Sequence, residues 1–409
     1  MGIIFTIIIT ILVFDYLLEQ LLEYLNSTKR GTKLPFELKD VFNEDEYNKQ
    51  QKYEKTTGKF SYITSTFSLV IMLLMLFFNG FASIDTIARS ITTNNILIVL
   101  IFFGILMLTS DIINTPFSIY STFVIEEKFG FNKTTVKTFI LDKIKAWFLG
   151  AIIGGILLSA IVWFYYFAGN LFWLYAWGAI SLFTILMTMF YSSLIVPLFN
   201  KQTKLEDGEL KTAIEEFSKK VGFKLDNIYK IDGSKRSTKA NAYFSGLGKK
   251  KRIVLYDTLI NDLTTNEIVA VLAHEIGHYK KKHTLTTIII SIFQMGITLY
   301  ILSLFVGNPE LSKALGVNQT SFHIGLIAFG ILYSPISTII GLLMNIISRK
   351  NEYEADMFAK QNFNDNDLIS ALKKLSGKSL SNLTPHPAYV FFHYSHPTLL
   401  QRIRNLKKS

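Results

Sequence analysis

The chain has 409 residues, half of them hydrophobic, 14% aromatic and only 18% charged. Forty-two Lys and Arg against 31 Asp and Glu give a net charge of +11, and there is no cysteine. The length leaves room for two or three soluble domains, but the apolar excess excludes an ordinary soluble enzyme, and the missing thiols exclude a disulfide framework and thiol catalysis.

Seven long stretches carry no Lys or Arg: roughly 2–22, 61–83, 96–117, 146–168, 172–196, 284–306 and 323–347. Each suffices, or nearly so, to cross ~30 Å of hydrocarbon at about 1.5 Å per residue. The chain therefore reads as an all-α multi-pass membrane protein with seven transmembrane helices. The first stretch lacks the basic flank and small-residue cleavage site of a signal peptide, and Asp15, Glu19 and Glu23 continue it, so it reads as a retained helix. Those acids recur every four residues and share one face. Glu23 reads as a polar helix end at the membrane rim, and Asp15 as facing a watery interior.

The connectors 84–95, 169–171 and 307–322 hold only Arg89 and Lys313; the other 40 basic residues lie in the alternate connectors and the C-terminal region. The positive-inside rule then puts the N-terminus outside and the C-terminus in the cytoplasm. The net positive charge follows from this without a nucleic-acid partner. The runs Lys249-Lys-Lys-Arg252 and Lys280-Lys-Lys282 lie beside membrane segments, where anionic lipid attracts them.

Residues 1–196 hold the first five spans, with cytoplasmic loops at 23–60 and 118–145 in which short helices are expected. The largest polar segment, 197–283, opens with a helical pattern near 207–220. Strand-like runs follow at 227–231, 240–244 and 252–256. Residues 284–347 carry the last two spans, and 348–409 return to polar helices near 349–356, 366–376 and from Pro397 onward. A polar α+β unit is thus inserted between and after the last spans.

Within 197–283, Thr264-Thr-Asn-Glu267 reads as a capping box that opens a helix. That helix carries His274-Glu-Ile-Gly-His278, an H-E-x-x-H motif. Residues i and i+4 share a helix face, so His274 and His278 can grip one ion. Zinc takes neutral imidazole readily and lowers the pKa of bound water to about 7. Glu275 flanks the pair as a general base. The three-histidine form of the motif would need glycine at position 281 and histidine at position 284. The chain has Lys281 and Thr284 there, so His283 is not read as a ligand. The segment Glu352-Tyr-Glu-Ala-Asp356 supplies an acidic residue to close a three-ligand site and leave the fourth position to water, which makes the α+β unit zincin-like. Zinc-dependent peptide hydrolysis is the chemistry these residues fit, with one Zn2+ per chain.

With those residues in hand, the chain resembles the integral-membrane zinc metalloproteases of the CAAX prenyl protease 1 (Ste24) type, peptidase family M48. The likeness rests on the seven spans, the string from Pro116 to Lys133 that contains Phe123-Val-Ile-Glu-Glu-Lys-Phe-Gly-Phe-Asn132, and Pro197-Leu-Phe-Asn200. It continues through Leu205-Glu-Asp-Gly-Glu-Leu210, Lys239-Ala-Asn-Ala-Tyr-Phe-Ser-Gly246, the H-E-x-x-H helix, Ser348-Arg-Lys-Asn-Glu-Tyr-Glu-Ala-Asp356 and Ser395-His-Pro397.

The resemblance implies His274, His278 and Glu352 as zinc ligands and Glu275 as general base. It makes Asp356 an orienting carboxylate, although the sequence alone reads it equally as an exposed helix charge. His396 becomes a donor to the oxyanion, where the residues alone read as a turn, and Arg402 joins the same site. Asn241, Ala242 and Tyr243 become an edge strand that aligns the substrate. His323, His386 and His393 are read as structural.

A chamber enclosed by the membrane helices is likewise implied by the resemblance. The expected partners are the lipid bilayer and a peptide or protein substrate, prenylated or not, and no nucleic acid. Lys204 departs from the family pattern, the loops are short and the chain ends Leu-Lys-Lys-Ser, which favour a bacterial cytoplasmic membrane over the endoplasmic reticulum. The rivals are a shorter HtpX-type quality-control protease, a site-2-type intramembrane protease and a non-catalytic zinc-containing scaffold. Seven spans, the polar Tyr279-Lys-Lys-Lys-His283 after the motif, and the intact Glu275 argue against each in turn.

Overall fold

The computed structural model describes residues 2–225, 227–245 and 252–408. The run 249–251 and Gly246 lie outside the described residues. Among those described, six continuous helical runs are long and apolar enough to cross a membrane: Ile3–Ser27, Glu44–Phe77, Asn95–Phe129, Val136–Phe199, His283–Phe305 and Phe322–Asn362. The expectation was seven. The 64-residue run Val136–Phe199 contains two of the expected stretches. Gly169 turns the chain there with φ +52°, a conformation that costs a Cβ-bearing residue energy, and separates the Gly155–Ala168 helix from Phe172–Leu194.

Helix continues well beyond several expected boundaries. The 23–60 region was expected to be a loop with short helices, yet Glu44–Phe77 is one helix opened by a capping box at Asn43. The second expected loop, 118–145, is largely helical too. It contains a π-helical turn at Ser121–Glu126 and the helix Val136–Leu149. Glu352 does not begin a new helix at Arg349: Phe322–Asn362 is a single helix of 41 residues, about 60 Å long. Residues 346–356 contain no Gly and no Pro, so the change from apolar to polar changes the solvent and not the backbone. Glu352 is therefore built rigidly onto the same helix as the last apolar stretch.

The soluble part carries a four-stranded sheet in the order β1 (Gln202–Lys204), β2 (Asn227–Ile231), β4 (Arg252–Tyr256), β3 (Ala242–Ser245). β2 and β4 are parallel; β1 and β3 pair antiparallel with their neighbours. β1, too short to show an alternation, was not read from the sequence. The central strand β4 is the most buried, with Ile253, Val254 and Leu255 all inside. β3 lies at the sheet's edge.

One core joins this sheet to Thr265–Lys280, the end of the long helix and the C-terminal helices. Leu38, Phe42, Ile125, Phe129 and Phe131 belong to the same core, so both N-terminal connectors pack into the soluble part. Each such fully buried side chain contributes about 1.5–3 kcal/mol. At the far end of the spans, buried His323 lies 2.7 Å from Asp85, which also receives Arg89. His386 caps the Pro387–His393 helix, and His393 lies 3.5 Å from Glu19. Asp15 accepts from Ser334 of the long helix, while Glu23 lies 3.6 Å from Arg30.

Candidate metal centre and active-site cleft

The H-E-x-x-H motif sits on the helix Thr265–Lys280, and the expected capping box is present. Thr264 N–H donates to Glu267 Oε2 at 2.8 Å, and the Thr264 hydroxyl accepts from the Glu267 N–H. The helix ends at Lys280, and Lys282, with a φ of +61°, turns the chain into the next helix, His283–Phe305. Gly277, between the two motif histidines, lies against the long helix. A Cβ there would meet Ala355 Cα and Phe358 Cβ at 3.1 Å and the Ala355 carbonyl at 3.2 Å. A side chain at this position would crowd the contact, and the close approach brings Glu352 up to the histidines.

The Nε2 atoms of His274 and His278 are 3.2 Å apart. Glu352 Oε1 lies 3.2 Å from His278 Nε2, and its Oε2 lies 3.4 Å from His274 Nε2. One donor atom from each of the three residues falls within 4.8 Å of the others. Glu352 is 4% exposed, and its Oε2 has no hydrogen-bond partner. His274 and Arg402 lie 3.4 and 3.6 Å from it without forming hydrogen bonds, and a cation among three converging N and O atoms would satisfy it. The donor set is the two-histidine, one-carboxylate kind that zinc takes.

The surrounding charges support a cation site. Burial pulls the Glu352 carboxyl up, but His274, His278 and Arg402 outweigh it and hold it well below the usual carboxylate range. Burial pulls His274 down, yet Asp356 and Glu352 outweigh that effect and push it up to about 9. The Glu352 and Asp356 carboxylates thus face His274 from its two ring nitrogens.

Asp356, fully buried one turn along the long helix, lies 2.9 Å from His274 Nδ1. A His that donates Nδ1–H to a carboxylate keeps its Nε2 lone pair for a metal. Arg402, on the last helix, Leu399–Leu406, donates to both Asp356 oxygens at 2.9 and 2.6 Å. It also lies 3.6 Å from Glu352 Oε2. His396 precedes that helix, is 62% exposed along its side chain, and places Nε2 3.2 Å from Glu352 Oε1. All of the expected residues on these helices and on the preceding turn are therefore gathered around one point.

Glu275 and His278 line a cleft of about 790 Å³. Its other walls include Met187, Tyr191, Phe199 and the β3 residues Tyr243 and Phe244. Asn241 also lines it, just before β3. The Asn241 amide oxygen accepts from the Ala242 N–H at 2.8 Å, and the Tyr243 hydroxyl lies 3.3 Å from Ser192. The cleft is thus bounded by the H-E-x-x-H helix, the sheet edge and the ends of apolar helices.

One residue of the site was missed. His283, rejected as a ligand, places Nδ1 3.1 Å from His278 Nδ1 and Nε2 3.2 Å from Glu354. It braces His278 from the side away from the ligand atoms. Spacing alone did not show this, because the turn at Lys282 swings His283 back toward the motif.

Apolar spanning helices joined to an H-E-x-x-H helix define a class, the membrane-embedded metallopeptidases. Residues 204–409 match the family model for peptidase family M48, and residues 23–201 match that for the CAAX prenyl protease N-terminal region with five membrane helices. The chain belongs to the CAAX prenyl protease 1 (Ste24) family of M48 peptidases. It is similar to CAAX prenyl protease 1 of Saccharomyces cerevisiae, with 39% identity over 92% of this chain and 88% of that protein. The Dictyostelium discoideum homologue is 38% identical over 93% and 91%, and the Homo sapiens homologue 31% over 93% and 90%. The crystal structure of S. mikatae Ste24p superposes with a TM-score of 0.93 at 36% identity, covering 100% of this chain and 99% of that one. These relatives are eukaryotic, and they do not bear out the expectation of a bacterial member.

Proposed function

We propose that this metalloprotease is a zinc-dependent endopeptidase that cuts C-a-a-X-type C-terminal segments of membrane-associated proteins. The observation that carries the reading is the convergence of His274, His278 and the buried Glu352 carboxylate, whose Oε2 accepts no hydrogen bond, with Glu275 opening onto the adjoining cleft.

When bound, zinc supplies a Lewis acid for the scissile carbonyl and lowers the pKa of water to about 7. Glu275 takes the proton of the attacking water and delivers it to the leaving amine. Asp356 holds His274 in the ligand tautomer, and Arg402 holds Asp356. His396, at the exposed rim, donates to the developing oxyanion. Asn241, Ala242 and Tyr243 offer the free edge of β3 to an extended peptide.

The Val136–Phe199 run serves as two spans, so that seven cross the membrane. The 197–283 and 348–409 segments form the protease unit, and 1–196 and 284–347 carry the spans. The concentration of 40 basic residues in alternate connectors and the C-terminal region supports a cytoplasmic metal centre. The relatives are named CAAX prenyl proteases, and the aromatic and aliphatic cleft walls suit the apolar residues of such a segment.

The test is cleavage of a farnesylated C-a-a-X peptide and its unprenylated twin by purified protein. Preference for the farnesylated peptide supports the substrate class. Equal cleavage keeps the peptidase and removes prenyl recognition, and cleavage of neither contradicts the reading.

A further inference from the structure

Two strings from distant parts of the sequence meet beside the edge strand. Lys239, three residues before β3, donates to Glu126 Oε2 at 2.9 Å and to the Tyr53 hydroxyl at 3.2 Å. Tyr53 donates in turn to Glu126 Oε1 at 2.6 Å. Tyr53 belongs to the long second helix, and Glu126 ends the π-helical turn after the third span. Such turns re-aim side chains relative to an α-helix. The Lys239 ammonium also lies 4.3 Å from the centre of the Phe131 ring. Burial pulls Lys239 down, but Glu126 and Tyr53 outweigh it, and its pKa is raised. It stays charged.

The backbone repeats the connection. Lys133 N–H donates to the Arg236 carbonyl at 3.0 Å, Thr238 N–H to the Phe131 carbonyl at 3.1 Å, and Asn132 bridges to Ser237. Arg236 grips Asp142 through two bonds of 2.8 and 2.9 Å. On the side toward β4, the Lys239 carbonyl accepts from the Thr258 hydroxyl, and the Asn241 carbonyl accepts from the Tyr256 N–H. The chain entering β3 is therefore held from two directions: by β4 and by the connector after the third span.

We propose that Lys239 is a positioning residue for the peptide substrate: tied to Glu126 and Tyr53, it fixes the start of β3 relative to the H-E-x-x-H helix. The inference rests on the reading of β3 as the strand that aligns substrate. Half-exposed ion pairs add little stability, and the aromatic rings around Tyr53 already belong to or pack against the soluble core. What the trio adds is direction. An edge strand held in advance spares the bound peptide the cost of ordering it.

The test uses the full chain with Lys239→Met and Lys239→Arg. Steady-state kinetics are measured on a peptide long enough to lie along β3 and on a blocked dipeptide that cannot reach it. Amide hydrogen exchange is followed over 238–245 in the same samples. Lys239→Met is expected to raise KM for the long peptide about tenfold with kcat within about twofold, and to leave the dipeptide unaffected. Exchange over 238–245 rises about tenfold while that over 265–280 stays unchanged, and Lys239→Arg restores most of both. Unchanged KM with unchanged exchange overturns the proposal. So does an equal loss on both substrates with a lowered Tm, which marks a merely structural residue. If wild type cuts neither peptide, the functional reading fails, and exchange over 238–245 still decides whether Lys239 holds the strand.

Discussion

Arg402 holds Asp356 with two N–H···O bonds of 2.9 and 2.6 Å, and Asp356 lies 2.9 Å from His274 Nδ1. The last helix of the chain thereby reaches a candidate zinc ligand through one fully buried carboxylate. Burial pulls Asp356 up, but His274 and Arg402 outweigh it and keep it below the ordinary aspartate range. A buried charge is tolerable only when paired this way.

Removing either partner should separate stability from metal affinity. Arg402→Met leaves Asp356 with one partner, and denaturant unfolding should show a loss of about 3–5 kcal/mol. Asp356→Asn weakens the acceptor that orients His274, and zinc competition titration should show a 10- to 100-fold loss of affinity, about the range for such partners. Wild-type zinc affinity in Asp356→Asn would contradict the orienting role.

Gly277→Ala sets two effects against each other. Ala favours a helix by about 1 kcal/mol over Gly, but the added Cβ meets Ala355 and Phe358 at 3.1–3.2 Å. Overpacking of this kind costs about 1–3 kcal/mol, so crowding should prevail. A lower Tm together with weaker zinc binding is expected, because the long helix that carries Glu352 must move away. A raised Tm would show that the two helices can separate freely.

His283→Ala removes the brace behind His278. Zinc affinity should fall by about tenfold. Glu354→Gln should matter less, since Glu354 is 40% exposed and touches the centre only through His283. Equal zinc affinity in wild type and His283→Ala would reduce His283 to a packing residue.

Glu267 couples the helix cap to pH. It accepts from Thr264 N–H, the Ser370 hydroxyl and Lys374. Burial pulls its carboxyl up, but Lys374, Ser370 and Thr264 outweigh it and hold the pKa below the ordinary value. A carboxyl lowered on folding stabilises the protein above its unfolded pKa, about 4.3, and that stability is lost as pH falls through the folded value. The Tm difference between wild type and Glu267→Gln should therefore be large near neutrality and shrink below about pH 4. A difference independent of pH would contradict the coupling.

Much of this was legible in the sequence because it depends on local rules. Helix spacing joined His274 to His278, the capping box placed their helix, and short β-branched and aromatic runs marked 227–231 and 252–256 as strands. Helix ends were less legible where polarity changes and backbone preference does not, as at Arg349 and along 44–60. The brace from His283 depends on one left-handed residue, Lys282, and the Lys239–Glu126–Tyr53 contact joins positions up to 186 residues apart. No periodicity encodes contacts of that kind.

The most direct test of the central claim is metal content and peptide cleavage measured together in wild type, Glu275→Ala and His278→Ala. The account predicts one zinc per chain with cleavage in wild type, and one zinc with kcat lowered at least about 100-fold in Glu275→Ala. In His278→Ala both zinc and cleavage should be lost, and a chelator should reproduce that loss in wild type. Undiminished cleavage by Glu275→Ala, or by protein stripped of metal, would contradict it.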